Sequence, residues 1–391
     1  MRKVLLLVTM SLSSLWLISC GSSSKQVVVP PPPPQPSITT FAFMQEAGNY
    51  LFSPMLGTFT TTNGTTVFAA SAVVDPSTNQ PVTGGFYSII LSPDGKKAAI
   101  DLYGGLDGDN DQLDIFVADA SGSGNPVEVT NDAYEDLMPQ FSPDGSKVVF
   151  ASLRPIPGDT NGYWQWQIAI MNADGSGAEQ VLPIAPGIVY QMAPTFSPNG
   201  KQIATQAIGN LDSGSPFQGI LLTNIDGSNP IYLTNPLFSD TCDYCEDQMP
   251  SFSPDGSKIV FSRENYTQSP SVSDIYVMNA DGTNVTKLTD GVGINSDPLL
   301  LNSSELSGTI VFNSNRDNLS ITSGAAFDLY SIKTDGTGLT RLTNNTLFEG
   351  MCGWWYTGTG GADTATRRAN PLSREHHPTY RGRPAIRGLH W

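Results

Sequence analysis

The chain has 391 residues, with 36 Asp+Glu against 20 Lys+Arg and a formal net charge of −16. So acidic a body argues against nucleic acid and against charge-driven docking on anionic lipid. The three histidines are His376, His377 and His390. Ser-His-Asp catalysis and histidine-metal hydrolysis are therefore excluded from everything before them.

Residues 1–19 begin Met1-Arg-Lys and continue into an apolar stretch that is short and interrupted by serines. That pattern reads as a signal peptide rather than a membrane span. It ends in Leu17-Ile-Ser-Cys20, which resembles the lipobox of bacterial lipoproteins. The resemblance implies that Cys20 becomes an acylated N-terminus, a sufficient membrane anchor. The plain alternative is a secretory signal in which Cys20 is incidental. Gly21, in place of Asp, favours sorting to the outer membrane, facing periplasm or surface. Residues 20–37 then form a spacer, flexible through Gly21-Ser-Ser-Ser24 and stiff through Pro30–Pro34.

From residue 38 the text is strand-like, with no helix-period segment. One phrase recurs: Leu91-Ser-Pro-Asp-Gly95, Phe141-Ser-Pro-Asp-Gly145, Phe196-Ser-Pro-Asn-Gly200 and Phe252-Ser-Pro-Asp-Gly256. Its prolines are spaced 50, 55 and 56 residues apart. Pro suits the second position of a tight turn, Asp or Asn the third, and Gly the left-handed position that closes a hairpin. A second phrase follows in each unit, as in Ile168-Ala-Ile-Met-Asn-Ala-Asp-Gly175 and Ile275-Tyr-Val-Met-Asn-Ala-Asp-Gly282. A third closes the unit: Val129-Thr-Asn131, Leu233-Thr-Asn235, Leu288-Thr-Asp290 and Leu342-Thr-Asn344. One unit thus reads strand, turn, strand, variable loop, strand, turn, strand, which is one antiparallel propeller blade. Five units run from about residue 86 to 344. The strand-like pieces at 38–85 and 347–356 are expected to combine into a sixth blade that closes the ring.

These three phrases in fixed order resemble the repeats of the TolB family. The resemblance implies an all-β, six-bladed propeller of four-stranded antiparallel blades over residues 38–356, in a bacterial envelope. The α/β domain that precedes the propeller in TolB-type proteins is not expected here, because the Pro linker leads straight into strands.

In a meander blade the first and third turns share one face of the disc. The remaining connections share the other, where variable loops are expected to carry function. Three features fall there. Tyr163, Trp164 and Trp166 offer rigid aromatic area for a protein or a sugar ring; alternation also allows Trp164 and Trp166 to pack between blades. Asp107, Asp109 and Asp111 resemble a Ca²⁺ loop but lack its Gly and its closing Glu, so an acidic turn without metal is the plainer reading. Cys242 and Cys245 flank two residues among carboxylates that raise thiol pKa, so a local disulfide is expected rather than a reactive thiol or zinc. Cys352 is either unpaired or takes one of that pair.

Residues 357–391 hold six arginines and no strand pattern, and read as a disordered arm or an aberrant translation. Without them and the signal, 12 Lys+Arg face 34 Asp+Glu, a charge of −22. The expected function is a non-catalytic, lipid-anchored envelope propeller. It binds another envelope protein through its loop face, with no cofactor and no nucleic acid. The alternative is a carbohydrate-binding or carbohydrate-cleaving surface protein.

Overall fold

The computed structural model describes residues 37–350, except residues 49–50, 63–64, 73, 76–79, 82–85, 104–112, 121–125, 157–163, 212–213, 237–243, 269–270, 302–305, 320–326 and 345–347. The described residues form an all-β, six-bladed propeller of four-stranded antiparallel sheets. Blade 1 comprises Phe86–Leu91, Lys97–Tyr103, Leu113–Asp119 and Val127–Glu128. Blade 2 comprises Glu135–Phe141, Lys147–Pro155, Trp164–Asn172 and Gln180–Val181. Blade 3 comprises Ile188–Phe196, Gln202–Asn210, Pro216–Asn224 and Ile231–Tyr232. Blade 4 comprises Cys245–Phe252, Lys258–Asn265, Val272–Asn279 and Thr286–Lys287. Blade 5 comprises Asn295–Leu300, Thr309–Ser314, Asp328–Lys333 and Thr340–Arg341. Blade 6 joins Glu349–Gly350 to Ser37–Gly48, Leu51–Thr62 and Thr65–Ala72.

The closure of blade 6 is as expected from the two end pieces. Glu349 and Gly350 pair with Gln45 and Met44, and Gln45 Nε2 donates to Glu349 Oε1 at 2.6 Å. Phe348 is buried against Phe327, with ring centroids 5.4 Å apart.

Each Ser-Pro-Asp-Gly phrase builds the same turn. In blade 4 the Gly256 N–H donates to Ser253 O at 2.8 Å, the Ser253 hydroxyl donates to Asp255 Oδ1 at 2.6 Å, and the Lys258 N–H donates to Ser253 Oγ at 2.8 Å. Gly95, Gly145, Gly200 and Gly256 have φ between 69° and 72°, the left-handed region that favours glycine. The third phrase has a role of its own. The Thr289 hydroxyl accepts from Ile275 N–H at 3.0 Å and donates to Asp274 Oδ1 at 2.6 Å, pinning the outer strand to the start of the third. Thr130 does the same for Ile115 and Asp114.

Second strands such as Lys147–Pro155 are buried on both faces, because each blade is covered by a neighbour on either side. That is why they read as continuous apolar runs rather than alternating ones. Each junction between blades has its own cluster. Ile115 and Val117 meet Phe141 and Phe150 between blades 1 and 2, and Trp166 and Ile168 meet Met192 and Ile203 between blades 2 and 3. Phe41, Phe43 and Phe59 meet Val311 and Leu329 between blades 5 and 6.

Strands extend further toward the loop face than the sequence suggests. Gln206 and Gln218 read as loop but lie in Gln202–Asn210 and Pro216–Asn224, with only 211–215 between. Glu135, Glu246 and Asn295 read as blade links but begin first strands. The reason is that these polar side chains are buried beside polar groups of neighbouring strands, so polarity there does not signal solvent.

Candidate functional site

The axis of the ring is built from a bulge repeated in four blades. Met138, Ala193, Met249 and Asp297 have φ of 57°, 48°, 52° and 52°, and each precedes a proline. The first-to-second ladder skips at each of these points. Proline has no N–H to place in a ladder, so it fits the unpaired bulge position. In blade 2 the freed Met138 N–H donates to Asp101 Oδ2 of blade 1 at 2.9 Å. Met138–Pro139, Ala193–Pro194, Met249–Pro250 and Asp297–Pro298 line an axial cavity of about 100 Å³ together with Ser88 and Ile89. The sequence signal for this was a second proline four residues before each turn proline, at Pro139, Pro194 and Pro250.

On the loop face, Trp164 is half-buried and its ring lies 5.8 Å from that of Tyr134. The Arg154 guanidinium sits 4.3 Å over the Tyr134 ring, donates to Asp132 Oδ2 at 3.1 Å and pairs with Glu179. A Trp–Tyr–Arg group is thus held in one place by a tilted aromatic contact, a cation–π contact and ion pairing. Burial raises the Glu179 carboxyl despite the opposing Arg154 charge.

Trp166 requires a correction as a binding residue. It is 1% exposed and belongs to the core between blades 2 and 3, so its ring serves packing rather than a binding surface. Alternation places it on the same side as Trp164, one step deeper. Tyr163 lies outside the described residues.

Most of the other candidate residues fall outside the described residues. Asp107, Asp109 and Asp111 do so, as do Cys20, Cys242 and Cys352. Asp114, which follows the acidic run, is buried and accepts the Thr130 hydroxyl at 3.2 Å. Among the described residues no group of three or more His, Cys, Asp or Glu is placed to hold a metal ion. Cys245 is disulfide-bonded.

Sequence reading missed a buried polar network where blades 3 and 4 meet. Glu246 and Glu264 are cross-strand neighbours. The Tyr266 hydroxyl lies 3.4 Å from Glu246 Oε2 and 3.2 Å from Glu264 Oε2, and accepts from Gln248 Nε2 at 3.0 Å. One hydroxyl proton serves only one carboxylate at a time. Gln206 Nε2 donates to Glu246 Oε1 at 2.5 Å, and the Ser271 hydroxyl donates to Glu264 Oε1 at 2.8 Å. Burial, reinforced by the Glu264 charge, pushes the Glu246 carboxyl up to about 7, against the hydrogen bond from Gln206. One residue along, Asp247 is clasped by Arg263, with Nε to Oδ1 at 2.5 Å and Nη2 to Oδ2 at 2.8 Å.

A family model described as the TolB beta propeller domain matches residues 156–355. Among solved structures, the putative TolB from Agrobacterium tumefaciens is similar at 16% identity and a TM-score of 0.52, covering 81% of this chain and 93% of that one. The hydrazine synthase of Kuenenia stuttgartiensis is similar at 10% identity and a TM-score of 0.56, covering 81% of this chain and 46% of that one. One of these is described as TolB and the other as an enzyme, so the shared fold by itself selects neither kind of function.

Proposed function

The chain belongs to the TolB β-propeller domain family, and on that footing we propose that it is a non-catalytic propeller that binds a protein partner through its loop face. The Leu17–Cys20 lipobox pattern and the Pro-rich spacer support an anchored form, acylated at Cys20 and facing the periplasm or surface from the outer membrane. The observation that carries the reading is the Trp164–Tyr134–Arg154 group. Trp, Tyr and Arg dominate binding energy at protein interfaces, and here they are ordered before any partner arrives. The opposite face presents repeated tight turns of near-identical geometry, which offer little to distinguish one partner from another.

Trp164→Ala is the test. The variant should melt close to the parent yet lose partner capture from the envelope by at least tenfold. Unchanged capture removes this group as the contact. A second reading, carbohydrate binding or cleavage, is supported by one observation, the half-buried Trp164 beside Tyr134, an aromatic platform of the kind that holds a sugar ring. Retention on a glycan column, or release of reducing ends, would select it.

A further inference from the structure

The repeat supplies an internal control for one buried charge. Asp136 and Asp247 occupy the same register, each two residues before the bulge residue, at Met138 and Met249 respectively. Both are 0% exposed. Asp247 faces Arg263 across the ladder and is neutralised by it in bidentate fashion. Asp136 faces Ser152 across the ladder, a side chain shorter by the whole guanidinium arm. Ser152 Oγ lies beside Asp136 without closing an ordinary hydrogen bond to it, and instead accepts from Arg154 Nε at 3.0 Å. Arg154 directs its Nη2 to Asp132 and Glu179. Neither oxygen of Asp136 has a hydrogen-bond partner. In blades 3 and 5 the same register holds Gln191 and Asn295, which carry no charge.

A buried carboxylate with no partner is costly, and either a proton or a cation removes that cost. The surroundings point the same way. Asp132, Glu179 and Asp136 interact with one another around the single Arg154 guanidinium, so negative charge stays in excess by one while Asp136 is protonated and by two once it ionises. The group reaches the surface, since the Asp132 side chain is 32% exposed. It adjoins the aromatic patch, because Tyr134 lies two residues from Asp136 and packs its ring, tilted by 60°, against that of Trp164.

We infer that Asp136 is the receptor for a guanidinium group supplied in trans, an arginine side chain of the protein partner. That group would take beside Asp136 the place that Arg263 takes beside Asp247. The inference rests on the loop-face reading above and names the chemistry of its anchor. Burial holds the empty Asp136 carboxyl well above the usual carboxylate range, with the Ser152 hydroxyl opposing. An entering guanidinium therefore displaces a proton to solvent, and binding strengthens as the pH rises.

The test uses the full chain, with agmatine as the guanidinium probe, by titration calorimetry and thermal melting. Expected are saturable binding and an affinity that rises about tenfold per pH unit while Asp136 is protonated. Asp136→Asn should weaken binding at least tenfold. Ser152→Arg, which restores the blade 4 arrangement, should melt above the parent and also exclude agmatine. No binding to the parent, or equal binding to both variants, overturns the inference. If agmatine fails while Trp164-dependent partner capture persists, the slot is wrong and the loop-face reading stands.

Discussion

At the scale of single residues, similar side chains have different duties according to depth. Trp164 and Trp166 share one side of one strand, yet the first is half-buried at the rim and the second is core. Trp166→Ala should cost about 3–5 kcal/mol in denaturant unfolding. Trp166→Phe should cost less than about 1.5 kcal/mol, because the indole N–H it removes has no partner in the fold. A large loss in Trp166→Phe would place an unseen acceptor at the indole. Glycine makes a similar point at Gly256. The nearest atom to an added Cβ would be Pro198 Cδ at 3.6 Å, which is ordinary contact, so the penalty there is conformational. Gly256→Val should cost about 1–2 kcal/mol and Gly256→Asn distinctly less. Equal melting of Val and Gly forms would contradict the turn geometry.

At the scale of elements, the turns and the buried network titrate in opposite senses. Hydrogen bonds from Ser92, Ser142 and Ser253 hold Asp94, Asp144 and Asp255 down at about 2. Their contribution is present above the unfolded carboxylate range and is lost as the pH falls toward 2. Glu246 is raised from 4.5 to about 7, so stability present at low pH is lost as the pH rises through that value. The loss amounts to about 3 kcal/mol across the window. Melting temperature should therefore peak near pH 5, and Glu246→Gln should flatten the alkaline side alone. A profile unchanged by that substitution would contradict the buried-acid account.

The outer strands differ too. They are two residues long in five blades, but Thr65–Ala72 has eight residues, no charge and Val67 59% exposed. Long neutral edges invite pairing, so Val67→Lys should lower light scattering at high concentration with stability unchanged within about 0.5 kcal/mol. The turns were legible in the sequence because Ser-Pro-Asp-Gly is a local code. The polar ends of the first strands were not, because Glu246, Gln206 and Gln218 look like loop until a neighbouring blade supplies their partners.

At the scale of the whole molecule, repetition makes the ring, and departures from repetition mark where the proposed contacts lie. Among the described residues, six junction clusters and a closure at Glu349–Gly350 complete the ring. Within it, Arg263 beside Asp247 and Ser152 beside Asp136 are two answers to one structural position. The fold class was readable because the period of the phrases spans a blade. The candidate site was readable only in part. Trp164 stood out by residue type, whereas Tyr134, Arg154 and Asp136 become a group only once distant stretches of chain are brought together.

The central claim, partner binding through the loop face, is tested most directly by photo-crosslinking in the native envelope. One photoreactive residue would replace Ala133, exposed beside Tyr134, and another would replace Ser257, exposed on the turn face. The account predicts one discrete protein adduct from position 133, lost in Trp164→Ala, and none from position 257. Adducts from position 257 alone, or equally from both faces, would contradict it.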